Sequence, residues 1–157
     1  MHVWAVANQK GGVAKTTSTV CLAGLLGEQG HKVLMVDLDP HGSLTSYFKY
    51  DPDDINLSVY DLFMHEGKVP EDLPKQIILP SSQPGVDLFP ASTALATLER
   101  KVASQGGMGL VISKALATLW DQYQYVIIDT PPILGVLMIN ALAAAQKLLI
   151  PVQTEYL

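Results

Sequence analysis

Asn8-Gln9-Lys10-Gly11-Gly12-Val13-Ala14-Lys15-Thr16-Thr17 lies between an apolar run, Val3-Trp4-Ala5-Val6-Ala7, and a segment where Val20, Leu22, Ala23, Leu25 and Leu26 recur at helical spacing. The run reads as a buried strand and the segment as an amphipathic helix, so the stretch is a strand–loop–helix junction. A glycine-bearing loop that opens a helix and ends in Lys-Thr is a phosphate cradle. Its backbone N–H groups and the helix dipole attract an anion by roughly 0.5–2 kcal/mol. In such a loop Lys15 is expected to reach the terminal phosphates and the Thr16 hydroxyl to ligate magnesium. The pattern departs from the ordinary G-x-x-x-x-G-K-[ST] form, because Gln9 and Ala14 stand where the two glycines belong. Lys10 is an additional lysine at the mouth of the loop.

Further along, apolar runs alternate with helical patterns. Gly30 is a natural stop for the first helix. Lys32 to Asp37 is a short strand ending in a carboxylate, followed by the loop Asp39-Pro40-His41-Gly42 and a short helix from Ser43 to Phe48. From Asp51 to Lys75 the chain is acidic and broken by prolines, with a short helix around Ser58–Met64; it reads as a solvated surface. Ile77-Ile78-Leu79 and Val86-Asp87-Leu88-Phe89 read as strands around the turn Gln83-Pro84-Gly85. Helices are expected over Ala91–Lys101 and Gly109–Asp121, joined by Ser104-Gln105-Gly106-Gly107, a turn with no Lys-Ser/Thr after it to make a second phosphate loop. Tyr125 to Asp129 is a buried strand, Leu134–Ala145 an apolar helix and Lys147–Gln153 a last strand. This alternation predicts an α/β fold, a doubly wound, mainly parallel sheet with helices on both faces. Ligands of such a sheet sit at the carboxyl ends of its strands.

The 157 residues suit one domain, 1–157, with a sizeable core. Apolar residues make up 48% and charged ones 16%, which excludes a disordered chain. A net charge of −5 gives no chain-wide attraction to nucleic acid or anionic lipid. The N-terminus lacks the basic and apolar regions of a signal peptide, and the stretch from Ile133 to Ala145 is too short to span a bilayer. No membrane partner and a cytoplasmic location are therefore expected. Cys21 is the only cysteine, which excludes a disulfide framework within the chain; it reads as a small buried hydrophobe. Arg100 is the only arginine and belongs to a charged helix end, so Lys10 is the better candidate for neutralising a transferring phosphoryl group.

Asp37, Asp39 and Asp129 each fall at or just past the end of an apolar strand, on the same sheet edge as Lys15 and Thr16. A magnesium ion held by phosphates needs only one or two protein ligands besides water. Asp129 fits that role, and one of Asp37 and Asp39 is left to orient the attacking water.

These motifs resemble the ParA/MinD superfamily of dimeric ATPases. Lys10-Gly11-Gly12-Val13-Ala14-Lys15-Thr16-Thr17 is similar to their deviant Walker A loop, and Val36-Asp37-Leu38-Asp39-Pro40-His41-Gly42 to the V-D-x-D-P-Q-G motif. Tyr125 to Pro132 is similar to their Walker B strand and switch loop. The Asp-Pro-x-Gly form favours the ParA/Soj branch over MinD. Nitrogenase iron proteins need cluster cysteines, which this chain lacks. The resemblance runs from Val3 to Tyr156. In Asp39–Phe48 and Ser92–Arg100 it is nearest to members associated with chemotaxis and flagellar gene clusters.

The resemblance implies a catalytic set of Lys10, Lys15 and Asp39, with Lys10 reaching the phosphates held by the partner subunit and Asp39 orienting water. It implies nucleotide contacts from Lys10 through Thr17, with magnesium held by Thr16 and with Asp37 and Asp129 nearby. ATP and Mg²⁺ are the implied cofactors, and the implied partners are a second copy on ATP binding and a ParB-like or array-linked stimulatory protein. Binding to nucleic acid is possible for the family, although its basic surface falls outside these residues. Family domains continue past the position of Leu157, so the chain corresponds to the N-terminal portion of one. Cys21 and His41 replace an asparagine and a glutamine whose side chains carry none of the chemistry. Ala14 replaces a glycine, and if that position takes positive φ the alanine costs on the order of 1 kcal/mol. The implied function is an ATP-dependent switch that positions a chromosome, plasmid or receptor array. A metabolic amidoligase or synthetase of the same superfamily, and a fragment that binds without hydrolysing, are the alternatives.

Overall fold

Parallel pairing fixes the architecture, and it begins with three apolar strands. In the computed structural model, which describes residues 1–101 and 106–154, strands β1 (His2–Val6), β2 (Val33–Asp37) and β5 (Tyr125–Asp129) lie side by side at the centre of one sheet. Strand β4 (Val86–Phe89) pairs parallel with β2, and the short β3 (Leu79–Pro80) pairs antiparallel with β4. Strand β6 (Lys147–Leu149) pairs parallel with β1 at the far edge. The order is β3-β4-β2-β5-β1-β6.

Two apolar layers cover the sheet because successive strand residues point to opposite faces. Val33 and Met35 of β2 pack with Val20, Ala23 and Leu26 of α1 (Lys15–Glu28) and Leu44 of α2 (Ser43–Tyr47). Leu34 and Val36 point the other way. They join Val59 and Leu62 of α3 (Val59–Leu62), Ile77 of α4 (Leu73–Ile77), and Leu95 and Leu98 of α5 (Leu95–Lys101). The same layer takes Val111 and Ile112 of α6 (Val111–Ala117) and Leu137 and Ala141 of α7 (Val136–Ala144). The α/β, mainly parallel sheet with helices on both faces is therefore present as expected.

Local chemistry sets the element ends. At the end of α1 the Gly30 N–H donates to the Gly27 carbonyl at 2.9 Å and the His31 N–H to the Leu26 carbonyl at 3.1 Å. This Schellman closure needs the left-handed conformation that Gly30 adopts, with φ +88°. Helix α3 starts at a capping box, in which the Asp61 carboxylate accepts the Ser58 N–H at 2.8 Å and the Ser58 hydroxyl accepts the Tyr60 N–H at 3.1 Å. Helix α7 is capped from another element. The Glu99 carboxylate accepts the N–H groups of Val136 at 3.0 Å and Leu137 at 3.2 Å. Asn140, fully buried, ties α7 to its neighbours by donating to the Met108 carbonyl and accepting from the Ile112 N–H.

Several expected elements differ. Ile77 ends helix α4 instead of opening a strand, because Pro74 sits in the first turn of that helix and Ile77 is buried beneath it. The strand expected over Lys147–Gln153 is confined to Lys147–Leu149. The helices expected from Ala91 and Gly109 begin later, at Leu95 and Val111, the second after a 3-10 turn over Met108–Leu110. Cys21 is exposed, not buried. The buried stripe of α1 runs through Thr19, Val20, Ala23, Leu26 and Gly27, which leaves Cys21 and Leu25 together on the solvent side. Ser104 and Gln105 of the expected turn, and Glu155 and Tyr156 at the end of the resemblance, lie outside the described residues. Among the described residues no helix is long and apolar enough to cross a membrane.

Candidate nucleotide site

Three strand ends meet at one edge of the sheet. Val6, Asp129 and Asp37 are register neighbours across β1, β5 and β2, so the loops that follow these strands open side by side. Gly11 to Thr17, Asp39, His41, Ser43 and Pro132 line a cleft of about 380 Å³ there. This is the crevice at strand carboxyl ends where an open α/β sheet binds ligands.

The phosphate loop is held from both sides. The Asn8 side chain donates to the Pro151 carbonyl at 2.8 Å and accepts the Lys10 N–H at 2.9 Å. Gly12 has φ +73° and Ala14 φ 62°, so the alanine does occupy a left-handed position. Ala14 is the N-cap of α1, and neither a side-chain cap nor an acidic first-turn residue satisfies the first N–H groups of the helix. Those donors and the positive end of the dipole face the cleft, an arrangement that suits a phosphate. A Cβ at Gly11 or Gly12 would meet no atom of the described residues within 4 Å. Lys15 turns its ammonium toward the Lys10 carbonyl, at 3.4 Å.

Beneath the loop the Thr16 hydroxyl donates to Asp129 Oδ2 at 2.6 Å. Asp129 Oδ1 is buried and has no hydrogen-bond partner among the described residues. Burial pushes the Asp129 carboxyl up to about 6, against the Thr16 hydrogen bond, with the Asp39 charge adding to the rise and Lys15 opposing it. A buried, unsatisfied carboxylate oxygen beside a threonine hydroxyl fits the hydration shell of a hard divalent cation. Thr130, next along, donates its hydroxyl to the Val6 carbonyl at 2.8 Å and ties the start of the following loop to β1.

Asp37 and Asp39 differ in their surroundings. Asp37 is wholly buried; its Oδ1 accepts the Asp39 N–H at 3.1 Å, and its Oδ2 accepts both the N–H and the hydroxyl of Thr45, at 2.9 and 2.7 Å. Burial raises the Asp37 carboxyl to about 7, helped by the charge of Asp129. Thr45 in turn accepts the Ala91 N–H at 2.9 Å, so Asp37 anchors α2 and the segment after β4. Asp39 sits at the cleft wall with its side chain 15% exposed. Its Oδ1 accepts the His41 N–H at 3.0 Å and lies 2.9 Å from His41 Nδ1. The turn is closed by the Gly42 N–H on the Asp39 carbonyl at 2.8 Å, with Gly42 at φ +64°, where a Cβ would collide with the Pro52 ring.

The sequence-derived set therefore converges: Gly11, Gly12, Val13, Ala14, Lys15, Thr16, Thr17 and Asp39 line the cleft, and Asp129 lies directly behind Thr16. Lys10 is exposed at the mouth, adjoining the cleft lining. Asp37 is committed to Thr45 and the Asp39 backbone. Two contributors were not expected. Thr45 belongs to an unremarkable Ser-Leu-Thr-Ser run, and His41 was read as a bystander; the spacing Asp39-Pro40-His41-Gly42, a turn with an acceptor at its first residue, carries the signal for the latter.

A sheet of this order, with a phosphate loop after β1 and carboxylates ending β2 and β5, defines a P-loop nucleotide-binding ATPase fold. The chain belongs to the AAA domain family, which matches residues 1–157, and within it to the ParA/MinD-type P-loop ATPases. It is 39% identical over 152 residues to the sporulation initiation inhibitor protein Soj of Bacillus subtilis, covering 97% of this chain and 58% of Soj. Cobyrinic acid a,c-diamide synthase from Mycobacterium smegmatis, with bound ATP analog and magnesium, superposes with a TM-score of 0.91 at 42% identity, over 99% of this chain and 62% of that one. Cyanothece McdA in its ATP complex gives a TM-score of 0.82 at 28% identity, over 96% of this chain and 56% of that one. The chain thus spans about three-fifths of the length of these relatives.

Proposed function

We propose that this chain is the nucleotide-binding part of a ParA-like ATPase that uses ATP binding as a dimerisation switch in positioning a chromosome, plasmid or receptor array. The observation that carries the nucleotide reading is the unsatisfied Asp129 Oδ1 behind Thr16, under an uncapped helix N-terminus. The N–H groups from Lys10 to Thr17 would hold the phosphates of ATP, with Lys15 on the terminal ones and the Thr17 hydroxyl as a further contact. Thr16 would ligate Mg²⁺ directly, with Asp129 in its water shell and Asp37 fixing the surrounding backbone. The metal supplies charge neutralisation for the transferred phosphoryl group. Asp39 would orient the attacking water.

Lys10 supports the switch, since a lysine at the mouth of the loop can serve phosphates held by a second copy. Such a switch needs only a few kcal/mol of differential binding between its states. A ParB-like or array-linked protein would stimulate hydrolysis, and the location would be cytoplasmic. The Soj and McdA relatives support this reading. The likeness to the diamide synthase supports a second one, an amidating enzyme, for which product formation is the deciding assay.

Light scattering after size exclusion, with and without ATP and Mg²⁺, tests the switch. Asp39→Ala should shift to dimer mass with ATP, and Lys10→Ala should bind nucleotide but stay monomeric. An Asp39→Ala variant whose mass does not change at saturating ATP overturns the dimer.

A further inference from the structure

Resting on the hydrolytic reading above, we propose that His41 is a positioning residue that fixes the carboxylate of Asp39 and reserves Oδ2 for the attacking water. Pro40 limits the backbone after Asp39, and the left-handed Gly42 returns the chain so that the Gly42 N–H meets the Asp39 carbonyl at 2.8 Å. The His41 N–H thereby falls 3.0 Å from Asp39 Oδ1, and the His41 ring reaches the same oxygen through Nδ1 at 2.9 Å.

An ionised carboxylate only accepts, so the ring must carry its proton on Nδ1 to make this bond. Two donors occupy both lone pairs of Oδ1. Both His41 contacts fall on this one oxygen. The two oxygens of one carboxylate are thus differentiated: His41 anchors Oδ1, and Oδ2 is the one this assignment leaves to the attacking water. The Asp39 N–H meanwhile donates to the buried Asp37 Oδ1, which fixes the backbone from the opposite side. The ring itself is at the rim of the cleft, 81% exposed, against 15% for Asp39. It can therefore hold Asp39 without blocking the approach to it.

The effect of losing this anchor is kinetic. A free Asp39 side chain would rotate among rotamers, and the water-binding orientation would be populated only part of the time. With His41 largely exposed to water, the loss of an ordinary net hydrogen bond converts to a roughly 2- to 13-fold loss in kcat. The loss should fall on kcat more than on nucleotide affinity, because the contacts His41 makes are with Asp39.

The test uses the whole chain. Phosphate release and nucleotide affinity are measured for the unsubstituted protein, His41→Ala and His41→Asn, with the last two repeated in an Asp39→Ala background. Asparagine places an amide N–H where Nδ1 stands, so His41→Asn should restore most of the rate lost in His41→Ala, with any change in affinity smaller than the change in rate. The His41→Ala effect should vanish when Asp39 is already alanine. Nitrogen–proton correlation spectra at pH 8 should show the Nδ1–H tautomer of His41, reverting to Nε2–H in Asp39→Ala. An Nε2–H ring in the unsubstituted protein overturns the proposal whatever the rates. Phosphate release that is unaffected by His41→Ala overturns it and leaves the hydrolytic reading standing. Bound nucleotide without any release by the unsubstituted protein sinks the hydrolytic reading, and this role with it.

Discussion

Asp37 and Asp129 are register partners on neighbouring parallel strands, yet only Asp37 has hydrogen bonds to both carboxylate oxygens. Two acidic groups thus end adjacent strands inside the protein, and each is held above the ordinary carboxylate range chiefly by burial. They differ in what could relieve them. Asp37 has its donors already, and Asp129 retains one oxygen for a donor or cation that no described residue supplies.

The first expectation concerns stability and pH. Asp37 titrates near 7 when folded and near 3.8 when unfolded, so the folded state binds more protons between those values. Its contribution is fully present below pH 3.8 and is lost as pH rises through 7. At roughly 1.4 kcal/mol per unit this amounts to up to about 4 kcal/mol. Urea midpoints measured from pH 4 to 8 without divalent cations should show the unsubstituted protein losing stability relative to Asp37→Asn. A difference between the two that stays flat over this range removes the argument.

Asp129 makes a separate prediction. Its carboxyl is raised to about 6, and a cation-bound water shell requires the ionised form. Magnesium–nucleotide binding should therefore release a proton at pH 5.5 and almost none at pH 7.5, and should be weaker at the lower pH. Titration calorimetry in two buffers of different ionisation enthalpy reads the proton count. Equal proton release at both values would place the charge elsewhere.

Ala14 holds φ 62° at the start of α1. Ala14→Gly removes a left-handed penalty on the order of 1 kcal/mol, less the extra entropy glycine has when unfolded. The substitution should leave stability unchanged or raise it by up to ~1 kcal/mol, seen as a higher urea midpoint. A clear loss of stability would mean that the methyl group makes favourable contacts outweighing its strain.

Glu99→Ala should cost about 1 kcal/mol, in the range of a lost helix cap, since two N–H groups of α7 lose their acceptor. Hydrogen exchange at Val136 and Leu137 should accelerate in the same variant, while exchange in β5 stays as it was. Unchanged exchange at both amides would show that water caps the helix equally well.

The legible parts of this fold were those set by local pattern. Val33 to Asp37 and Tyr125 to Asp129 are runs of aliphatic residues because both faces of a central parallel strand are buried, and each announces its end with an aspartate. The phosphate loop was legible because its spacing is tied to one geometry. Ile77-Ile78-Leu79 misled, since a short apolar run has the same appearance in a strand and at the end of a buried helix. Cys21 misled because one step along a helix rotates a side chain by about 100°, enough to leave the core. The ring of His41 and the carboxylate of Glu99 were hidden for another reason: their partners are set by how a turn closes or by which helix arrives alongside, and no periodicity records that.

Glu99 has a consequence for the segment that lines the nucleotide cleft at Pro132. Thr130 fastens one end of that segment to β1, and Glu99, reaching across from α5, fastens the other where α7 begins. Between these two moorings lie residues 131 to 135, with Pro131 buried and Ile133 and Leu134 largely exposed at the middle of the span. The two ends of the loop over the cleft are therefore held by different elements, β1 at one and α5 at the other.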